Sequence, residues 1–299
     1  IDECNIDMLN GKNKYEIDPE TGQPTNPKAM NPAIEGLYEK YINWGLIDQA
    51  EARGGWHPYL RAGLTYDSRN MRTCPTKGIY ADAFFTYTAA FGEQATAGYN
   101  HLQFNFNFRH YVSIYSDRVI LAYRLGTQNN IAGKSPFYMN SYLNTIFIQR
   151  VMYEGLGGAN SLRGIMRNRI LANGFAYANI ELRTKVAKFD IGNQHFYIGL
   201  APFFDLGVIT QPYKLDEAII KDAYTADTDA NKLPLDKYFA MKDGKINHSE
   251  VYLPHMAAGL GLKIAMNENF VFSVDWAMAL DKRDNAKWAN FYIKMGYLF

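Results

Sequence analysis

The chain has 299 residues, 47% of them hydrophobic and 20% charged, with a formal net charge of +1; so even a balance argues against a nucleic-acid partner, because phosphate binding is driven by clustered Lys and Arg. No uninterrupted apolar run approaches the roughly 18 to 20 residues that a spanning helix requires, which excludes a helical membrane protein. The departure from an ordinary soluble composition is aromatic: 22 Tyr and 18 Phe suit a transmembrane β-barrel, in which alternate residues meet lipid and aromatic girdles mark both interfaces.

Residues 1–56 read differently from the rest. The chain begins at Ile1 with neither an initiator Met nor a secretory signal, and is read as a processed chain or part of one. The stretch Asp18-Pro19-Glu20-Thr21-Gly22-Gln23-Pro24 is turn-rich, and residues 33–52 carry Leu37, Tyr41, Trp44 and Ile47 at helical spacing, so this region is expected to be a loop with a short surface helix.

From Trp56 the period of the pattern becomes two. A strand at 59–66 leads through Asp67-Ser68-Arg69-Asn70 and Cys74-Pro75-Thr76-Lys77-Gly78 to a second at 79–90. The cleanest alternation follows, with Leu102, Phe104, Phe106 and Phe108 against Gln103, Asn105, Asn107 and Arg109, and then a strand at 119–125. A long loop at about 126–174 holds Gly157-Gly158-Ala159-Asn160-Ser161-Leu162-Arg163-Gly164. In the strand at 175–186, Ala178, Ile180 and Leu182 oppose Asn179, Glu181 and Arg183. In the strand at 196–208, Phe196, Ile198, Leu200, Phe204, Leu206 and Val208 oppose Gly199, Ala201, Phe203, Asp205 and Gly207. Successive side chains point to opposite faces, so Glu181 and Asp205 face the same way if these strands pair, within reach of the Arg163 guanidinium.

A second polar loop spans about 210–252. Beyond it, 255–266 sets Met256, Ala258, Leu260, Leu262 and Ile264 against Gly259, Gly261 and Lys263, and 270–278 sets Phe270, Phe272, Val274, Trp276 and Met278 against Ser273 and Asp275. The chain closes on Phe291, Ile293, Met295, Tyr297 and Phe299 against Tyr292, Lys294, Gly296 and Leu298. About nine strands result, most near the barrel length of roughly 9 to 11 residues. A soluble antiparallel sandwich alternates in the same way, but it favours strands of about 5 to 6 residues with regular turns. Here short connections (Tyr115-Ser116-Asp117; Asn267-Glu268-Asn269) alternate with the two long ones, as the two rims of an outer-membrane barrel do.

Four stretches in order resemble the barrel signature of the BamA/TamA superfamily of outer-membrane insertases and translocators. They are Tyr66-Asp67-Ser68-Arg69-Asn70 with Pro75-Thr76-Lys77-Gly78; Gly157-Gly158 through Ser161-Leu162-Arg163-Gly164, followed by Asn179-Ile180-Glu181-Leu182-Arg183; Phe203-Phe204-Asp205-Leu206-Gly207; and a C-terminal strand alternating aromatics through Tyr297 to Phe299. The resemblance covers about residues 56–299. It implies an all-β chain forming part of a sixteen-stranded transmembrane antiparallel barrel, with 1–56 an extracellular loop and 57–299 the C-terminal portion. The first seven strands would then lie in a separate piece. It further implies a lumen clasp of Arg163, Gly164, Glu181 and Asp205, barrel-motif positions at Asp67, Arg69, Gly78, Gly157, Gly158 and Gly207, and a seam strand including Gly296 and Phe299.

No His cluster, nucleophile elbow or phosphate-cradling loop appears, so neither catalysis nor a metal or other cofactor is expected. Asp227-Thr228-Asp229-Ala230-Asn231 lacks the glycine and the glutamate of a calcium loop and is read as solvated surface. Cys4 and Cys74 fall on opposite sides of the bilayer in the mapped topology and are not expected to bond to each other; Cys4 is a candidate for bonding to the missing half. The functional expectation is insertion, assembly or translocation of proteins at the outer membrane of a Gram-negative bacterium. Its partners would be membrane lipids and lipopolysaccharide, the N-terminal half of the barrel, outer-membrane lipoproteins and unfolded barrel clients. The alternatives are a barrel that anchors or exports a missing N-terminal domain, and a plain pore gated by the arginine loop.

Overall fold

The computed structural model describes residues 16–23, 25, 37–147, 152–213, 216–227, 234–237, 239–284 and 289–299. The chain divides into two compact units, one of residues 1–56 with 214–241 and one of 57–213 with 242–299. In the first, helix Leu37–Asn43 stops before Gly45, whose φ of +71° turns the chain, and a second short helix, Gln49–Ala52, begins at Asp48. Asp48 accepts a hydrogen bond from the Ala50 N–H at 3.0 Å while Glu51 accepts one from the Asp48 N–H at 3.2 Å, a reciprocal cap. The helical spacing expected over 33–52 is thus interrupted, and residues 33–36 lie outside the described residues. The buried Trp44 packs edge-on to Tyr224 of helix Glu217–Ala226, which lies within the stretch expected to be a second polar loop.

The second unit is built on one antiparallel sheet of nine strands in chain order: β1 Tyr59–Asp67, β2 Gly78–Thr88, β3 His101–Tyr115, β4 Val119–Gly133, β5 Gly174–Ile191, β6 Gln194–Gln211, β7 His255–Met266, β8 Phe270–Ala279 and β9 Asn290–Met295. Among the described residues β1 pairs only with β2 and β9 only with β8, so these two are the edge strands of the sheet. One end of the sheet carries short turns, such as 116–118 and 267–269, and the other carries the long connections. The alternation is inverted relative to a soluble sheet. Leu64 and Ile293 are 83% and 71% exposed, whereas Asp82, Asn107, Arg124, Glu181, Asp205 and Asp275 are buried on the opposite, inner face. An apolar exterior with a charged interior is the arrangement a lipid-facing sheet requires.

The bounds of four strands differ from the sequence reading. β4 continues past Leu125 to Gly133, because its later residues Thr127, Gln128, Asn129 and Asn130 are polar on both faces and hide the alternation. β5 and β6 are each 18 residues long and extend beyond their expected ends. The terminal strand does not run through Phe299. β9 ends at Met295, Gly296 takes φ +88°, and Tyr297 and Phe299 turn inward. There Phe299 is buried against Tyr111, Ile120 and Ala122, and its carbonyl accepts a hydrogen bond from Arg183 at 2.8 Å. Gly296 is therefore a corner after the last strand, and Phe299 is not part of that strand. Cys74, expected in an ordinary turn, is buried as a free thiol beside Tyr197, Val271 and Tyr297. Cys4 and residues 228–231 lie outside the described residues.

Candidate functional site

The polar inner face converges on Arg163, in the loop between β4 and β5. Its Nε and Nη2 donate to Asp205 Oδ2 and Oδ1, each at 3.0 Å, and its main-chain N–H donates to Asp205 Oδ2 at 3.0 Å. Nη1 donates to Glu181 at 2.6 Å and to Asp275 at 3.3 Å. The guanidinium carbon lies 3.4 Å from the centroid of the Phe203 ring, so one face of the cation is covered by an aromatic. All four charged side chains are fully buried. A planar fork with five donors suits this site, since it meets Asp205 in parallel bonds and still reaches two further carboxylates.

Register explains why the carboxylates converge. Asn179 of β5 lies opposite Asp205 of β6, which lies opposite Ala257 of β7, and Gly261 of β7 lies opposite Asp275 of β8. The charges are compensated outward from there. Glu181 also accepts from Arg183 Nε at 2.8 Å, and Asp275 pairs with Lys263 and, at 3.2 Å, with Lys294. Arg124 braces the loop from the other side: it donates to Asn179 Oδ1 at 2.9 and 2.7 Å and to the Asn160 carbonyl at 3.0 Å, and the Asn179 amide donates to the Ser161 carbonyl at 2.7 Å.

The loop's shape is set locally. Gly157 and Gly158 both have positive φ, and the Ser161 hydroxyl closes the turn by donating to the Gly157 carbonyl and accepting from the Gly157 N–H. Gly164 has φ +91°, and a Cβ there would lie 2.8 Å from the Met278 carbonyl carbon, so backbone meets backbone. Its N–H donates to the Tyr292 hydroxyl at 3.0 Å and its carbonyl accepts from the Asn290 amide at 2.9 Å, which ties the loop to β9. Gly207 leaves room for the loop's apolar side: a Cβ would come within 2.6 Å of Leu162 and 2.7 Å of Leu156, both fully buried.

A family model for the Omp85 superfamily domain matches residues 11–299. The chain belongs to the Omp85 superfamily. No curated protein sequence matches the chain. Among solved structures, this Omp85 chain is similar to BamA from Haemophilus ducreyi lacking POTRA domains 1–3, with 18% identity and a TM-score of 0.46 over 89% of this chain and 47% of that one. It thus spans about half the length of that protein.

Within the Omp85 domain, the structure brings together Arg163, Gly164, Glu181, Asp205 and Gly207. Asp67, Arg69 and Gly78 form a separate group at the β1–β2 turn. There Arg69 donates to both carboxylate oxygens of Asp67 at 2.9 Å and lies 4.7 Å over the Tyr80 ring, and Gly78 has φ +108°. The sequence reading missed Asp275, Lys263, Lys294 and Arg124 as members of the network. Three of them stand in the polar registers of strands already written out, so counting every charge on an inner face would have found them. At the rim outside the strands, a hydrogen bond from Lys188 holds the Asp117 carboxyl down to about 2.

Proposed function

We propose that this Omp85 chain is the C-terminal part of a BamA/TamA-type barrel that inserts, assembles or translocates proteins at the outer membrane of a Gram-negative bacterium. The observation that carries this reading is the buried Arg163 network. It fixes a long loop against the inner face and ties that loop, through Gly164, to β9, an edge strand of the sheet. In this reading the edge of β9 opens to present unpaired N–H and C=O groups on which an incoming strand can pair, and a fixed loop beside it keeps the interior side of that edge in shape. The mechanism is physical and needs no bond-making chemistry.

In this reading residues 1–56 form an extracellular loop and 57–299 the C-terminal strands. The Arg163 group is a lumen clasp, and the partners are membrane lipids, lipopolysaccharide, the N-terminal half of the barrel, outer-membrane lipoproteins and unfolded barrel clients. The test is reconstitution of the full protein into phospholipid vesicles, followed by folding of an unfolded eight-stranded barrel measured by its heat-modifiable gel shift. Folding faster than in protein-free vesicles is expected; equal rates would end the reading. Mass spectrometry of the purified material reads the N-terminal half directly as a companion species.

A further inference from the structure

Arg163 is not the only place where the β4–β5 loop is held. Between Tyr142 and Phe147 the loop crosses the inner face of β1–β4, and one side chain from each of those strands bonds to its main chain. Gln128 of β4 donates to the Tyr142 carbonyl at 2.7 Å and accepts from the Asn144 N–H at 3.1 Å. Arg109 of β3 donates to the Thr145 carbonyl at 3.0 Å. Asp82 of β2 accepts from the Phe147 N–H at 2.9 Å, and Arg61 of β1 donates to the Phe147 carbonyl at 3.1 Å. Five main-chain groups in six residues are therefore read by four side chains. The Asn144 side chain is bonded as well, by Arg61 and Gln128, and the Phe147 ring packs 5.3 Å from that of Phe84.

The same face has binding capacity that the segment does not use. Asn105 of β3 is fully buried and stands between Phe84 of β2 and Gln128 of β4 in the two registers, directly among the groups that hold the segment. Neither its amide nitrogen nor its oxygen has a partner among the described residues, and neither does Arg109 Nε. A carboxamide offers a donor and an acceptor side by side, the complement of a peptide unit, and burying both without partners costs free energy. The face is thus equipped for more peptide main chain than residues 142–147 supply.

We propose that the inner face of β1–β4 is a binding surface for extended polypeptide recognised through its main chain, with residues 142–147 as the resident occupant that an incoming chain displaces. This deepens the reading given under Proposed function and rests on it for the identity of the incoming chain. Recognition through N–H and C=O groups tolerates many sequences, as a surface that meets varied unfolded clients must. A carboxylate, two guanidiniums and a carboxamide placed on four adjacent strands supply that recognition without adding a strand to the sheet.

The test is hydrogen exchange of the full protein in detergent, read by mass spectrometry at the amides of Asn144 and Phe147. Three synthetic octapeptides are added: the sequence of residues 141–148, a scrambled version, and a version N-methylated at the positions of Asn144 and Phe147. The tethered segment competes at an effective concentration on the order of millimolar, so the peptides are raised through that range. The parent and scrambled peptides are expected to speed exchange at both amides by about tenfold, and the N-methylated peptide to leave it unchanged. No response to any peptide, a response to the parent sequence alone, or an equal response to the N-methylated peptide would each overturn the proposal. Gln128→Leu should speed the same exchange without peptide, and unchanged protection in that folded variant would count against it. Because this readout is occupancy and not client folding, vesicles that fail to fold a client while peptides still displace the segment would remove the functional reading and leave the site.

Discussion

The β4–β5 loop is held at two places by opposite kinds of chemistry. Around Arg163 the bonds run between charged side chains that are fully buried, and removing Arg163 leaves Asp205 without an ion-pair partner among the described residues. Across residues 142–147 the sheet bonds mostly to main-chain groups, carbonyls that every residue carries and N–H groups that all but proline carry. The first anchor depends on the identity of one residue; the second depends on the path of the chain. One loop can therefore be fixed firmly at its tip while its incoming limb remains exchangeable.

Substitutions test that contrast most directly where charge is buried. Arg163→Ala should destabilise the folded protein by about 3 to 5 kcal/mol, because Glu181, Asp205 and Asp275 lose their shared cation; urea unfolding followed by tryptophan fluorescence measures it. Arg163→Lys keeps the charge and loses the fork, and a loss equal to that of alanine would show that planarity carries the whole effect. Gly164→Ala places a Cβ against the Met278 backbone at a positive φ and should cost roughly 1 to 3 kcal/mol in the same assay. Gln128→Leu, at the main-chain anchor, should cost about 1 to 2 kcal/mol. A loss as large as that of Arg163→Ala would erase the distinction between the anchors.

The smallest effect expected is at the exposed rim. Asp117 is held down to about 2 by its hydrogen bond from Lys188, against about 3.9 for an unfolded aspartate. A depressed carboxyl stabilises the fold above its unfolded value and loses that contribution as pH falls, so the effect is present at pH 5 and fades between about pH 4 and pH 2. Comparing urea midpoints of the protein and of Asp117→Asn across that window should show the difference narrowing as acid is added. A difference that stayed constant would dissociate Asp117 from the titration.

Strands with a strongly apolar outer face were legible from alternation alone. Phe104, Phe106 and Phe108 against Asn105, Asn107 and Arg109 located β3, and the parity of Glu181 and Asp205 put both carboxylates on the face where Arg163 meets them. What escaped had no such contrast. The outer end of β4 is polar on both faces, so Thr127 to Asn130 looked like loop. The inward corner at Gly296 follows from a single positive φ and from the interior contacts of Tyr297 and Phe299, which period-two spacing treats as more strand. The anchor at 142–147 was invisible because main-chain recognition leaves no residue pattern in the segment recognised. Arg61, Asp82, Arg109 and Gln128 lie on four different strands, and only pairing brings them together.

The thiol of Cys74 lies 3.0 Å from the Tyr197 hydroxyl, which in turn lies 3.0 Å from that of Tyr297. The first short turn of the sheet and the tucked residues beyond β9 therefore meet around one sulfur. An alkylating reagent can reach that sulfur only when the two part, so in a Cys4→Ser background its labelling rate is a stopwatch for how often that rim comes undone.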